Sequence, residues 1–553
     1  MTTTVFRNGV VFTADAARSW ASAVAVVDGR IVAVGGSDTV APYLRHADDV
    51  VDLAGRALWP GFHDAHAHPV LGGLERSRCD LSGLRTAREY VERIAGYAAD
   101  HPERAWVLGG GWSMDAFPGG RPSREALDTV VADRLVLLPN RDHHSAWTNS
   151  RTLAHAGIDA GTPDPADGRI ERDETGRPTG LLHEGAMDLV AALTPADTQA
   201  EFDEGLREAQ RFLHSLGVVG WQDAMVRVHE PGPNVHESYL RAQSEGWLTA
   251  RVAGALWWDR ACPLTGVPDQ VALLEKYRDE ARAAGRRYRA ENVKIMQDGV
   301  IETFTAAMLA PYLDPCGKRT SDRGIRFFDT SLLREATIAL DAAGFGVHYH
   351  ALGDRAVRDV LDAIEAAQAR NGPSGNRHHL AHLQVVDVAD VPRFRALGAV
   401  ANLQALWACH EPQMDELTIP VLGAERARRQ YPFGELHRAG ATIALGSDWP
   451  VSSPDPLAAL HVAVNRQALG EADTEPLGAE QALSLQVALA GYTAGSAFVN
   501  GVEDHTGVIA TGHEADLVVL DRDPFTGPSS EIGAARVQRT YIGGELVFSA
   551  AEE

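Results

Sequence analysis

Trp59-Pro60-Gly61-Phe62-His63-Asp64-Ala65-His66-Ala67-His68 is the stretch whose reading decides the fold. Pro60-Gly61 ends the preceding segment, and the residues from Phe62 onward read as a short buried strand. Side chains alternate along a strand, so His66 and His68 share one face. At a strand's C-terminal end, two imidazoles on one face can grip a single divalent ion, and a held ion makes hydroxide available at neutral pH. The pair alone is ambiguous in a chain with 22 histidines. His348 and His350 form a second such pair, and His143-His144 and His378-His379 are doublets. Only further ligands at compatible spacing can settle its meaning.

Beyond this stretch the chain alternates short apolar runs with helical patterns. Val218-Val219-Gly220-Trp221, Arg251 to Leu256, Val293 to Met296, Phe345 to His350, Leu380-Ala381-His382, Val400 to Leu403 and Ile443 to Gly446 are the strands. Asp269 to Ala284, Ser331 to Ala343 and Ala356 to Arg370 carry helical periodicity between them. With the His66 strand this makes eight, the pattern of an α/β protein built as a (β/α)8 TIM-like barrel. A doubly wound sheet is the competing fold. No Gly-x-Gly-x-x-Gly follows the first strand, and the strand count favours the barrel.

The two ends of the chain have a different character. Val5-Phe6-Arg7 and Val10-Val11-Phe12 flank Asn8-Gly9, and two further runs flank Asp28-Gly29, both hairpin signals. Leu517 to Leu520, Tyr541-Ile542 and Leu546 to Phe548 read as strands at the other end. Neither end has enough strands for a stable sheet. Residues 1–57 and 505–553 are therefore expected to meet in one composite β-sandwich, with the barrel over 58–504. From His68 to Val218 is 150 residues, whereas a βα unit needs only about 30. An insertion over roughly 75–210 is expected to cap the barrel mouth, because barrel sites lie at the C-terminal ends of the strands.

Composition narrows the function classes. The chain has 553 residues, 45% hydrophobic and 23% charged, with a formal charge of −24. That balance excludes a nucleic-acid binder, which needs a basic surface. No apolar run approaches a membrane span of about 20 residues, and Met1 to Arg7 lacks a basic and apolar leader. Cys79, Cys262, Cys316 and Cys409 are scattered without a Cys-x-x-Cys pair. A cytoplasmic enzyme with reduced thiols and a small-molecule substrate is expected, with a homodimer as the default assembly.

Placing each candidate ligand on a strand end gives a series. His66 and His68 end strand 1, Lys294 lies in strand 4, His350 ends strand 5, His382 ends strand 6, and Asp448 follows strand 8. All six would converge at one mouth. His348 shares the face of His350 one step deeper and competes with it. His378 shares parity with His382, and His379 should face the helices.

This series resembles the amidohydrolase superfamily. More closely, it is similar to the amidohydrolase-3 family that includes N-substituted formamide deformylases. The resemblance covers nearly the whole chain: Pro60-Gly61-Phe62 before the pair, Gly109-Gly110-Gly111-Trp112, Val293-Lys294-Ile295 with Asp298-Gly299, His350 to Ala356, His382-Leu383-Gln384, Gly446-Ser447-Asp448 and Ala515 to Val518. It implies a barrel with a composite β-sandwich. It implies one divalent ion, zinc above others, on His66, His68 and Asp448, and a second on His350 and His382. Lys294, N6-carboxylated, would bridge them. A single ion with unmodified Lys294 is the alternative, and Ala381 stands where many relatives have Glu. Trp112, His144 and Asp298 are candidates for contacting substrate.

The implied chemistry is hydrolysis of an amide-type C–N bond, such as an N-formyl or N-substituted amide, with Asp448 as proton shuttle. A cyclic amide, carbamate or ester would suit the same site. A binding protein with a degenerate site is the reading from another class. Among the aromatic residues, Trp112, Phe304, Tyr312, Trp407 and Trp449 hint at an apolar substrate.

Overall fold

Eight strands form one parallel sheet: β1 (Phe62–Ala67), β2 (Val218–Val226), β3 (Arg251–Trp257), β4 (Tyr288–Met296), β5 (Gly346–Ala351), β6 (His379–His382), β7 (Val400–Leu403) and β8 (Thr442–Leu445). Each pairs with its neighbours in chain order. The computed structural model describes residues 1–228, 233–314 and 316–551; the last two residues of the expected 505–553 segment lie outside them. The two edge strands meet just beyond their ends, where Asp448 N donates to His66 O and His68 N donates to Trp449 O, both at 2.7 Å. The sheet is thus a nearly closed barrel, and it is fastened at the expected ligands.

The strands are buried on both faces, which is why they read as continuous apolar runs. The helices between them are amphipathic. Gln199–Ser215 opens with a capping box between Thr198 and Glu201 and buries Leu206, Ala209 and Leu213. Asp354–Asn371 buries Val357, Val360, Leu361, Ile364 and Ala367 against the barrel and ends at Gly372.

Both ends of the chain contribute to a six-stranded sheet. In it Ala57–Pro60 runs parallel to Val10–Phe12 and antiparallel to Leu517–Leu520. This strand crosses the expected boundary at residue 57. Thr3–Arg7, Ala23–Val27, Arg30–Gly35 and Asp49–Asp52 form a second sheet of four strands. Phe6, Val24, Val11, Leu58, Leu517 and Tyr541 share one core between the two. Asp28-Gly29 makes the expected hairpin, with both residues at positive φ. Asn8-Gly9 does not. Thr3–Arg7 and Val10–Phe12 lie in different sheets, so the positive φ of Asn8 turns the chain from one sheet to the other. Arg251, at the start of β3, clasps Asp516 and Glu514 and ties the barrel to the terminal strands.

The insertion between β1 and β2 has its own six-stranded sheet, from Cys79–Asp80 to Pro178–Glu184. Its core includes Trp112, Phe117 and Trp147. The turn from Arg141 to His144 reaches from this sheet to the barrel mouth. All four cysteines are unpaired. Among the described residues no helix is long and apolar enough to cross a membrane.

Candidate metal centre

β1 delivers His66 at its end, and His68 begins the helix Pro69–Arg76. Beyond β8, Gly446-Ser447 leads to Asp448, whose φ is +58°. A Cβ at Gly446 would stand 2.6 Å from His66 N, so the close approach of the two strand ends requires glycine. Asp64 locks the junction. Its Oδ1 accepts from His66 N at 2.9 Å and Ser447 N at 3.0 Å, and its Oδ2 accepts from Ser447 Oγ at 2.6 Å.

The six expected ligands gather here. Asp448 Oδ1 lies 3.3 Å from His66 Nε2 and 3.1 Å from His68 Nε2, and its Oδ2 lies 3.9 Å from His382 Nδ1. Lys294 Nζ is 3.4 Å from His66 Nε2. The His350 and His382 ring centroids are 4.4 Å apart. One ligand atom from each of His66, His382 and Asp448 falls within 4.8 Å of the other two. The expected division put His382 with His350 on a second ion; here His382 lies beside both His350 and Asp448.

The donor set fits a divalent ion. His382 is 1% exposed, and among the described residues neither of its ring nitrogens has a hydrogen-bond partner, nor does Asp448 Oδ1. An unsatisfied buried polar atom costs about 1–3 kcal/mol. Unpartnered atoms on the imidazole of His382 and the carboxylate of Asp448, which lie together with His66, match the donors that zinc prefers. Burial, with Lys294 adjacent, holds His66 down at about 3, so its ring is neutral and carries a lone pair. Burial also brings the Lys294 amine down to about 7.

A second layer supports His66. Gln222, on β2, donates from Nε2 to Asn500 Oδ1 at 3.3 Å, which leaves its Oε1 to accept from His348 Nδ1. His348 Nε2 then accepts from His66 Nδ1 at 2.9 Å. Assigned from this network, His66 carries its proton on Nδ1 and turns the Nε2 lone pair toward Asp448. His348 is therefore a support for His66 rather than a rival of His350.

His379 also points inward: its Nε2 lies 2.8 Å from Gln222 Oε1. The expectation that it faces the helices is overturned, and His378 takes that position, 3.1 Å from Asp341. The cause is at His382, whose φ of +80° breaks the strand alternation. Counting parity back from His382 therefore assigns the doublet to the wrong faces.

The expected substrate contacts fall in three different places. Trp112 is fully buried, and its Nε1 donates to Leu138 O at 2.7 Å; it belongs to the core of the insertion and does not line the mouth. Asp298 is also fully buried. It accepts from Leu352 N, Gly353 N and Ala307 N at 2.9–3.1 Å and lies 3.3 Å from His350 Nδ1. With both oxygens occupied, it orients His350 instead of facing the mouth. His144 does reach the centre, its ring 5.5 Å from that of His350. Its Nδ1 is 2.7 Å from Glu184 Oε1. Burial opposes an imidazolium there, but Glu184 outweighs it and raises His144 to about 9.

Sequence reasoning missed Glu184 and Gln222 as site residues, and named Trp407 only among the aromatic residues hinting at an apolar substrate. Trp407, in the turn after β7, stacks on His382 at 5.2 Å and 7°. Trp407 lines the cleft above the centre, whereas Trp449, Tyr312 and Phe304 pack elsewhere.

The chain matches the model of the family described as "Amidohydrolase family" over residues 49–548 and belongs to that family. It is 29% identical to "Protein LONG AFTER FAR-RED 3" of Arabidopsis thaliana, over 98% of this chain and 91% of the relative. It is 28% identical to the "N-substituted formamide deformylase" of Arthrobacter pascens, over 98% of this chain and 97% of the relative. Among solved structures it resembles an uncharacterised metal-dependent hydrolase from Pyrococcus furiosus, with 25% identity and a TM-score of 0.70, covering 94% of this chain and 99% of the other.

Proposed function

We propose that this amidohydrolase-family chain is a metal-dependent hydrolase that cleaves an amide-type C–N bond, with N-formyl and other N-substituted amides as its substrate class. The observation that carries the reading is the convergence of His66, His382 and Asp448, with His68, Lys294 and His350 around them and with unpartnered donor atoms at their meeting point. The similarity to a formamide deformylase supports the choice of bond.

His66, His382 and Asp448, with His68 beside them, would hold zinc, which when bound would supply a Lewis acid and water of lowered pKa. Burial brings Lys294 to about 7, so its uncharged amine is populated and can add to carbon dioxide and lose a proton to give a carbamate, an oxygen anion that would suit a second ion beside His350. Asp448 takes the proton of the attacking water and delivers it to the leaving nitrogen. His144, charged and steered by Glu184, offers an N–H at the mouth to the substrate oxygen as negative charge develops there. The insertion excludes bulk water.

Metal analysis combined with assays on N-formyl amines tests this reading. The expected result is bound zinc together with release of formate, both lost on chelation. Protein that holds no metal and hydrolyses no amide would overturn it.

A further inference from the structure

The cleft above the metal centre is built by the loops at one end of the barrel. The insertion gives Arg141 and Asp142, the segment after β4 gives Val300 and Glu302, β5 is followed by Leu352, β7 by Trp407, Glu411 and Met414, and β8 by Val451. Its floor joins the centre directly. Trp407 stacks on His382, Leu352 is two residues past His350, and Val451 N donates to Asp448 O at 2.7 Å. An amide poised at the centre must therefore send its nitrogen substituent along this cleft.

The lining has two parts. Trp407, Leu352, Val300, Met414, Tyr431 and Val451 make apolar walls. Against them stand three carboxylates, Asp142, Glu302 and Glu411, and one guanidinium. Arg141 is engaged, with Nη2 3.4 Å from Glu411 and 3.3 Å from Gln413. His144 N donates to Asp142 Oδ1 at 2.9 Å, and the charged His144 ring and Arg141 both lie in the field of Asp142; Glu302 takes only the hydroxyl of Thr418. Among the described residues Glu302 thus faces an apolar cleft with a hydrogen bond but no ion pair of its own, beside the further carboxylates Asp142 and Glu411, the arrangement that attracts a cation into a low-dielectric site. Burial pushes the Glu302 carboxyl upward, the strain that an incoming ammonium would relieve.

We infer that the preferred substrate is an amide whose nitrogen substituent is apolar along its length and ends in an ammonium group, received by Glu302. This rests on the hydrolase reading above and specifies its substrate.

The test compares N-(6-aminohexyl)formamide with N-hexylformamide. The zinc-loaded enzyme should favour the ammonium compound by about tenfold in kcat/KM, chiefly through KM, as expected for one charge pair in a partly desolvated cleft. The preference should fall toward unity in Glu302→Gln and return in Glu302→Asp. Equal rates, a preference for the neutral compound, or a preference unmoved by Glu302→Gln would overturn the inference. Calorimetric binding of both compounds to metal-free protein separates the two readings. Tighter binding of the ammonium compound without hydrolysis of either would fail the formamide reading and uphold this one; equal binding would overturn this one.

Discussion

The two His-x-His pairs look alike in the sequence and are wired differently in the barrel. In the first, His66 and His68 both turn Nε2 toward Asp448. In the second, His350 stands at the mouth against Asp298, while His348 lies below it and holds His66 through Nδ1. Both pairs obey the period-two rule. Parity gives the face of a strand, but depth along the strand determines which ring meets a metal and which ring orients another ligand.

The largest test strikes the carboxylate that both rings of the first pair face. Asp448→Asn should lower kcat by about 10^3-fold or more, the scale of a lost general base, with an unchanged circular dichroism spectrum. Near-normal turnover would sink the mechanism. His66→Ala and His348→Ala sharpen the contrast between ligand and support. The first should abolish stoichiometric zinc binding, and the second should weaken zinc by about 10–100-fold, as loss of an outer partner does. Equal losses in a competition titration would erase the distinction drawn here.

Gln222→Leu reaches the same network one step further out. It should weaken zinc by about tenfold, near the low end of outer-partner effects, and should broaden the imidazole nitrogen resonances of His66 as its tautomer becomes mixed. Sharp, unchanged resonances would show that Gln222 does not set the tautomer. A further effect is global. Zinc at about a hundredfold excess over Kd should add about 2.7 kcal/mol to the stability of chelator-stripped protein. At the same zinc concentration the gain should be smaller in His348→Ala, and identical melting shifts would contradict the supporting role.

Much of the fold was legible because barrel strands buried on both faces leave apolar runs that need no partner to be recognised. Val218, Arg251, Val400 and Ile443 all mark strands that formed. The ligand positions were legible for the same reason: His66, His350 and His382 end such runs. Asn8-Gly9 shows the limit at the level of the fold. It carries a turn signal, but the sheet each flanking strand joins depends on Leu53, Leu58 and Tyr541, far along the chain. His379 shows the limit at the site, because alternation predicts facing only while φ stays in the β region, and His382 leaves it.

The sequence by itself determined that this chain is a barrel with candidate metal ligands at its strand ends, since strand period and residue chemistry are local properties. Tertiary structure alone decided that Asp298 orients a histidine, that Trp112 is core, that His348 supports His66, and that Trp407 and Glu302 share one cleft. Each of those roles depends on atoms brought together from distant parts of the chain. Hydrogen bonds and desolvation act over a few ångströms of space, whatever the separation along the sequence.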